Sequence, residues 1–503
     1  MLKDKDAWPE LVQQLREHKY RVRRRGTTAT GYEMFRVDLS DWRLSLSERT
    51  PIIWVNSELQ ERFSADELAE SLLDVVRTNS WRHRDVLVLL DGDGQELKAQ
   101  VANGDSRFII VSAAEQRQIL AAVSFTNALQ KHVCEQIPIS SLAPYAYGPP
   151  VVGTRFFGRK REINDILRHE TTSFAIMGVR RIGKTSLLRE IERRMLEQGE
   201  KEERIVKLDC SNLSGPVQFV EEVVRKLNIR ELPRLKNIQE SFFSFPDFLK
   251  RMSKMHGGMI TIFLDEADHF LSWARDVSLP ALRDSMTSGA CRYIVAGFQA
   301  VMSEWSDNKS PFYWAFRFID LGPFEKEDVD EIVRLPARSL HLRIEDEPAF
   351  IARLQADTRG HPYLIQYCCV DMMKQLDREG SRVLNLARLD GVYTSEGLKS
   401  LILSSFMDNV AIRDKVLVYA LLKTFATDKE TYSEPEIYGA LSKQHTPYRA
   451  EDVFRACHRL MLAAVLVRDG ANYQFAFPVL PRLLRANHDL DHLLSVAKKE
   501  IGL

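Results

Sequence analysis

Gly178-Val179-Arg180-Arg181-Ile182-Gly183-Lys184-Thr185 decides the fold, because this loop lies between an apolar run and a helical pattern. The upstream run Ser173-Phe174-Ala175-Ile176-Met177 reads as a short buried strand, and Ser186-Leu187-Leu188-Arg189-Glu190-Ile191 has amphipathic helical spacing. Strand, glycine loop and helix together form a cradle for phosphate. Gly178 and Gly183 let the backbone turn its N–H groups toward an anion, and the helix N-terminus adds partial positive charge. Lys184 is placed to reach the β- and γ-phosphates of a nucleoside triphosphate, and the Thr185 hydroxyl to ligate Mg²⁺. The expected nucleotide contacts are Gly178, Val179, Arg180, Arg181, Ile182, Gly183, Lys184, Thr185 and Ser186.

A phosphate loop needs a carboxylate for its metal. Met259-Ile260-Thr261-Ile262-Phe263-Leu264-Asp265-Glu266 is an apolar strand that ends in two acids. Asp265 is expected on Mg²⁺, directly or through water, and Glu266 as the base or water-orienting group. A third buried strand, Cys291 to Gly297, leads to Phe298-Gln299. Gln299 reads either as a sensor of the γ-phosphate or as a solvated loop residue. Arg292 and Arg317 read either as cations for a neighbouring subunit's nucleotide or as ordinary surface and ion-pair arginines.

The segment Pro149-Pro150-Val151-Val152-Gly153-Thr154-Arg155-Phe156-Phe157-Gly158-Arg159-Lys160-Arg161-Glu162-Ile163 resembles the leading motif of STAND-type P-loop ATPases, especially the archaeal and bacterial branch related to AAA+ initiators. Ser310-Pro311-Phe312-Tyr313, Leu321-Gly322-Pro323-Phe324 and Thr358-Arg359-Gly360-His361-Pro362-Tyr363-Leu364-Ile365-Gln366 follow in the same order, so the resemblance spans about residues 149 to 490. It implies an ATP- and Mg²⁺-dependent switch ATPase that couples nucleotide state to oligomerisation or effector control, in bacterial defence or signalling. It also implies that Arg159 and either Phe156 or Phe157 lie near the base and ribose, and that Pro362 packs on the adenine from a helical lid. Phe298-Gln299 departs from the small hydroxyl or basic residue often found after the sensor strand, and this departure points to slow turnover.

At 503 residues, several domains are expected. The expected fold class is α/β: a leading α/β domain at 1–142, a linker at 143–157, a P-loop ATPase core at 158–323 with a parallel sheet, a helical lid at 324–405, a winged helix at 406–490 and a helical tail at 491–503. In the leading domain, the apolar runs 51–55, 85–90 and 108–111 alternate with helical patterns at 65–77 and 114–135, which predicts parallel strands. Asp91-Gly92-Asp93-Gly94 reads as a turn, or as a ligand loop at a strand's carboxyl end. Lys19-Tyr20-Arg21-Val22-Arg23-Arg24-Arg25 places Arg21, Arg23 and Arg25 on one face of a strand, facing phosphate, an acidic surface or solvent as a protected edge.

Helical patterns at 412–425, 433–443 and 450–464 followed by a hairpin around Asp469-Gly470 predict the winged helix. Arg449, Arg455, His458, Arg459 and Arg468 offer positive charge for DNA, whereas Glu451 and Asp452 at the helix start favour capping. The alternative function is therefore a DNA-associated ATPase of initiator or transposition-regulator type; the favoured one is an internal switch. The expected partners are ATP and ADP, a second copy of the chain, and an unidentified protein or effector.

Seventy basic and seventy acidic residues balance, so any polyanion site must be local. Six cysteines show neither metal-ligand spacing nor a disulfide framework, which fits a reducing cytoplasm. The charged start, Met1 to Trp8, has no secretory apolar region, and no run approaches the roughly twenty apolar residues of a membrane span.

Overall fold

A computed structural model describes residues 8–46, 49–81, 85–101, 108–227, 238–274, 278–408, 410–446, 448–487 and 489–502. Met1 to Ala7, part of the charged start, lie outside the described residues. The chain divides into two compact units.

The first unit comprises residues 1–145, 332–345 and 369–385. Its sheet runs in the order β1 (Val22–Thr27), β2 (Glu33–Val37), β3 (Thr50–Val55), β4 (Val86–Leu90), β5 (Phe108–Val111). The last three strands are parallel, on the three apolar runs read from the sequence; β1 and β2 add an antiparallel edge, so the sheet is mixed. All five residues of β4, Val-Leu-Val-Leu-Leu, are buried, because helices cover both faces of a central parallel strand. One face packs Ile53, Val55, Val88 and Ile110 against Leu68, Leu72 and Val76 of helix Ala65–Thr78. The predicted helix at 114–135 is two helices, Ala113–Leu120 and Phe125–Gln136, the second restarted by Ser124, whose hydroxyl accepts the Asn127 N–H. Asp91-Gly92-Asp93-Gly94 is a turn: Asp93 caps Gly94 and Gln95, and Asp91 accepts the Trp54 indole N–H at 2.8 Å. Residues 332–345 and 369–385 join this unit through side chains. Asp377 accepts the N–H groups of Ile139 and Ser140, and Tyr145 donates to the Ile332 carbonyl at 3.0 Å.

The second unit comprises 146–331, 346–368 and 386–503. Its sheet holds β6 (Phe174–Met177), β7 (Ile205–Asp209), β8 (Ile260–Asp265), β9 (Cys291–Gly297) and β10 (Arg317–Asp320), in the order β10-β6-β9-β8-β7. All four pairings are parallel, so the carboxyl ends of the strands share one sheet edge. Two apolar layers cover the sheet: Ile176, Leu187, Ile191, Phe263 and Ile294 on one face, Val206, Phe219, Phe245, Ile262 and Tyr293 on the other. Arg292 is a buried exception within β9. Its guanidinium donates to the Thr261 hydroxyl and the His169 carbonyl, both at 3.1 Å, which commits it to the fold rather than to a surface. Arg317 pairs with Asp165 at 2.9 Å.

Beyond the sheet, helix Glu347–Thr358 and the start of helix Pro362–Glu379 flank Gly360-His361. Helices Ile412–Thr424, Glu434–Lys443 and Ala450–Leu462 follow, with a three-stranded antiparallel sheet made of Thr431–Tyr432, Asn472–Phe475 and Leu466–Asp469. Helices Val479–Asn487 and Leu490–Glu500 close the unit.

Candidate functional site

A cleft of about 760 Å³ opens at the carboxyl end of β6. Its floor is the loop between β6 and helix Lys184–Glu197, and Gly178 must lack a side chain there: a Cβ would stand 2.8 Å from both the Leu321 carbonyl oxygen and Ile182. Gly183 adopts φ +105°, a conformation that favours glycine, and hands the chain into the helix. Helix N-termini leave backbone N–H groups unpaired, so the loop aims donors and a partial positive charge into the cleft.

Of the residues singled out in the sequence, Phe157, Arg159, Gly178, Arg180, Arg181, Ile182, Gly183, Lys184, Thr185, Ser186, Glu266 and Pro362 line this cleft. Asp265 lines the adjoining cavity, which it shares with Thr185, Asp209, Ser211 and Glu266. Val179 lines neither cavity; its carbonyl accepts from the Lys184 Nζ at 3.2 Å, and the Gly178 carbonyl accepts from it at 2.8 Å. Gln299 opens helix Gln299–Ser306 after β9, and its side chain lies outside the described residues.

The electrostatics suit a ligand that brings both signs of charge. Burial pulls the Lys184 ammonium below its ordinary pKa, and Glu266, Asp268 and Asp265 oppose that pull. Burial pushes the Asp265 carboxyl up, Asp209 at the end of β7 adds to the push, and hydrogen bonds from the Thr185 hydroxyl and the Glu266 N–H act against it. A carboxylate so disfavoured gains from a divalent cation, so the Thr185 and Asp265 oxygens fit Mg²⁺. Glu266 is exposed at the strand end and holds φ +49°, a strained conformation for a non-glycine residue at the site itself.

Arg159 is buried and also left-handed; its guanidinium donates to the Gly322 carbonyl and stacks 4.9 Å from the Phe324 ring centroid. Across the cleft, Arg181 lies 4.4 Å from the ring centroid of Tyr363, which couples the phosphate loop to Pro362-Tyr363. Gly360 lets these segments close: a Cβ there would sit 2.3 Å from the Phe324 carbonyl oxygen, and the Phe324 N–H donates to the Gly360 carbonyl at 2.8 Å.

Several lining residues escape sequence reasoning. Asp268 accepts the N–H groups of Phe298 and Ala300 at 2.7 and 2.6 Å and so fixes the segment that carries Gln299. Gln366 accepts the Ala146 N–H at 3.1 Å, and Tyr147 packs 5.0 Å from Tyr367, closing the side near Pro149 and Pro150. Leu462, at the end of helix Ala450–Leu462, also lines the cleft. The signal that could have found Asp268 is its place as an acid in the first turn of the helix after Asp265-Glu266; Gln366, Tyr147 and Leu462 carry no local signal. His361 is buried between Phe406 and Phe477, at centroid distances of 5.5 and 6.1 Å, and among the described residues neither ring nitrogen has a hydrogen-bond partner.

Comparison with known proteins gives the fold a family setting. Residues 167–300 match the AAA domain family. A Walker-type ATPase of Pyrococcus abyssi superposes with a TM-score of 0.50 at 17% identity, covering 68% of this chain and 99% of that one. The ORC2 protein of Aeropyrum pernix, in its ADPNP-ADP complexes, gives a TM-score of 0.46 at 12% identity over 67% of this chain and 90% of that one. No curated protein sequence matches. The second unit thus carries a P-loop ATPase fold, of AAA type over residues 167–300.

Proposed function

We propose that the chain is an ATP-dependent switch, in which a slowly hydrolysed triphosphate at Gly178–Ser186 sets the orientation of the segment around Pro362 relative to the sheet. The observation that carries this reading is the composition of one cleft. The phosphate loop, Glu266, Pro362-Tyr363 and Leu462 all line it, so a bound nucleotide touches four elements at once.

The phosphate-loop N–H groups and Lys184 would hold the β- and γ-phosphates, and Phe157, Arg159 and Pro362 would flank the base and ribose. Thr185 and Asp265 would hold Mg²⁺, which when bound neutralises phosphate charge and polarises the γ-phosphate. Glu266 would accept the proton of the attacking water, and Asp268 would steady the sensor segment that holds Gln299.

Helices 412–424, 434–443 and 450–462 with the hairpin 466–475 read as a winged helix engaged internally. Arg359 donates to Gln474 at 2.6 Å, Arg482 pairs with Asp357 at 2.7 Å, and Phe406 and Phe477 enclose His361. Part of its positive charge is paired inside the chain: Arg459 forks onto Asp414 with two bonds of 2.6 Å, Arg413 pairs with Asp452, and Arg468 donates to the Gly470 carbonyl. These pairings favour the internal switch over a DNA-reading helix. The nucleotide state would then govern self-association or an effector, in defence or signalling.

Lys184→Ala is expected to abolish ATP binding by titration calorimetry. Glu266→Gln should retain it while slowing single-turnover hydrolysis by about 10²- to 10⁴-fold. Wild-type hydrolysis in both variants would refute the assignment.

A further inference from the structure

The edge of the first unit's sheet carries an arrangement that the nucleotide cleft does not use. Strand β1 is the outermost strand, and no further strand pairs with it among the described residues. Arg21, just before the strand, and Arg23 and Arg25 on it all stand exposed, while the intervening Arg24 turns to the other side and pairs with Glu33 at 2.9 Å. Among the described residues, none of the three exposed arginines makes an ion pair. Lys19 and Arg16, also exposed, extend the same charge toward helix Glu10–Glu17. The nearest carboxylates in sequence are occupied: Asp38 accepts the Ser40 N–H and hydroxyl, and Glu17 accepts the Gln14 amide.

Edge protection alone explains this poorly. A charged edge deters pairing with another chain, and one or two lysines suffice for that. Here Arg23 lies directly opposite Arg36 of β2, a like-charge cross-strand pair that costs stability. Arg36 packs over the Trp81 ring, 5.6 Å from its centroid, which fixes one member of the repelling pair. The register slips between Arg24 and Gly26, so Arg25 has no partner on β2 and the strand twists outward there. Alternate residues on a strand are about 6.6 Å apart, so the three arginines form a row about 13 Å long. Guanidinium groups bind phosphate bidentately and carry their charge at every physiological pH, which lysine edges match less well.

We propose that the β1 edge is a nucleic-acid backbone site, in which Arg21, Arg23 and Arg25 bind three phosphates along one strand without reading bases. The row spans about four nucleotide rises of a B-form strand, each about 3.4 Å. The site lies in the unit that does not hold the phosphate loop, so its occupancy is measurable without ATP and does not depend on the assignment of the cleft.

The test is a salt titration of a fluorescent mixed-sequence DNA duplex, and of the corresponding single strand, with the full chain. Wild type should bind one or both at about 50 mM salt, with log affinity falling linearly against log salt. Arg21→Gln/Arg23→Gln/Arg25→Gln should weaken binding by roughly tenfold or more and flatten the slope by about 3, one for each lost phosphate contact. Arg21→Lys/Arg23→Lys/Arg25→Lys should fall between the two, because charge persists without the fork. Arg455→Gln/His458→Gln, on helix Ala450–Leu462, should leave affinity unchanged. Equal thermal melts and unaltered ATPase rates in the absence of DNA would show that the triple variant is folded. No wild-type binding at low salt, an unchanged slope in the triple glutamine variant, or binding of polyglutamate in place of DNA would each overturn the proposal. So would a triple variant that binds DNA normally but self-associates, since that outcome assigns the arginines to edge protection.

Discussion

Burial disfavours the charged forms of both Lys184 and Asp265, and a phosphate beside the one and Mg²⁺ beside the other would each offset that cost. That reciprocity is a stronger argument for the ligand than the loop motif alone. His361 shows the opposite case, a buried titratable group without a hydrogen-bond partner among the described residues. Burial, with Arg159 and Arg181 nearby, lowers its pKa to about 4. The folded pKa lies below the unfolded value, so the contribution to stability is intact above about pH 6.5 and is lost as the pH falls toward 4, by at most about 3 kcal/mol. His361→Phe should flatten the melting temperature of the ATPase body between those limits; a profile as steep as wild type would show that His361 is not the group responsible. Gly360→Ala forces a Cβ against the Phe324 carbonyl at φ +70° and should destabilise the same body by about 1 to 3 kcal/mol in denaturant titrations.

At the level of elements, what was legible and what was not divides along physical lines. β4, β6, β8 and β9 are nearly continuous apolar runs, because both their faces are covered, and such runs announce themselves. β1 reads Val-Arg-Arg-Arg-Gly-Thr and β10 Arg-Phe-Ile-Asp; edge strands are half solvated, so their apolar signal is thin. The pairing of Arg343–Ile344 with Val383–Leu384 joins residues about forty apart and has no local trace. The candidate site follows the same rule. Loop 178–185 and the Asp265-Glu266 pair are contiguous and readable, whereas Tyr147, Gln366 and Leu462 reach the cleft only through packing. The contact between Arg181 and Tyr363 makes an element-scale prediction: Tyr363→Ala removes a cation–π contact of about 0.5 to 2 kcal/mol and should speed ADP release severalfold in stopped-flow chase experiments, with hydrolysis in single turnover unchanged. Wild-type release would place the coupling elsewhere.

For the whole molecule, a bound nucleotide that touches the sheet, the Pro362 segment and helix Ala450–Leu462 should stabilise them together. At a hundredfold excess over Kd, ATP is expected to add about 2.7 kcal/mol to the unfolding free energy of this body, and none to Lys184→Ala. Among the described residues, no helix is long and apolar enough to cross a membrane. All six cysteines are free and buried, so exposed cysteines can be introduced and labelled selectively. Lys201, before β7, and Ala352, on helix Glu347–Thr358, are exposed positions on the two sides of the proposed hinge. The decisive measurement is energy transfer between dyes at Lys201→Cys and Ala352→Cys under saturating ADP and then a non-hydrolysable ATP analogue with Mg²⁺. A shift in efficiency between the two nucleotides, lost in Lys184→Ala, is the result expected of a switch; identical efficiencies with both nucleotides demonstrably bound would contradict it.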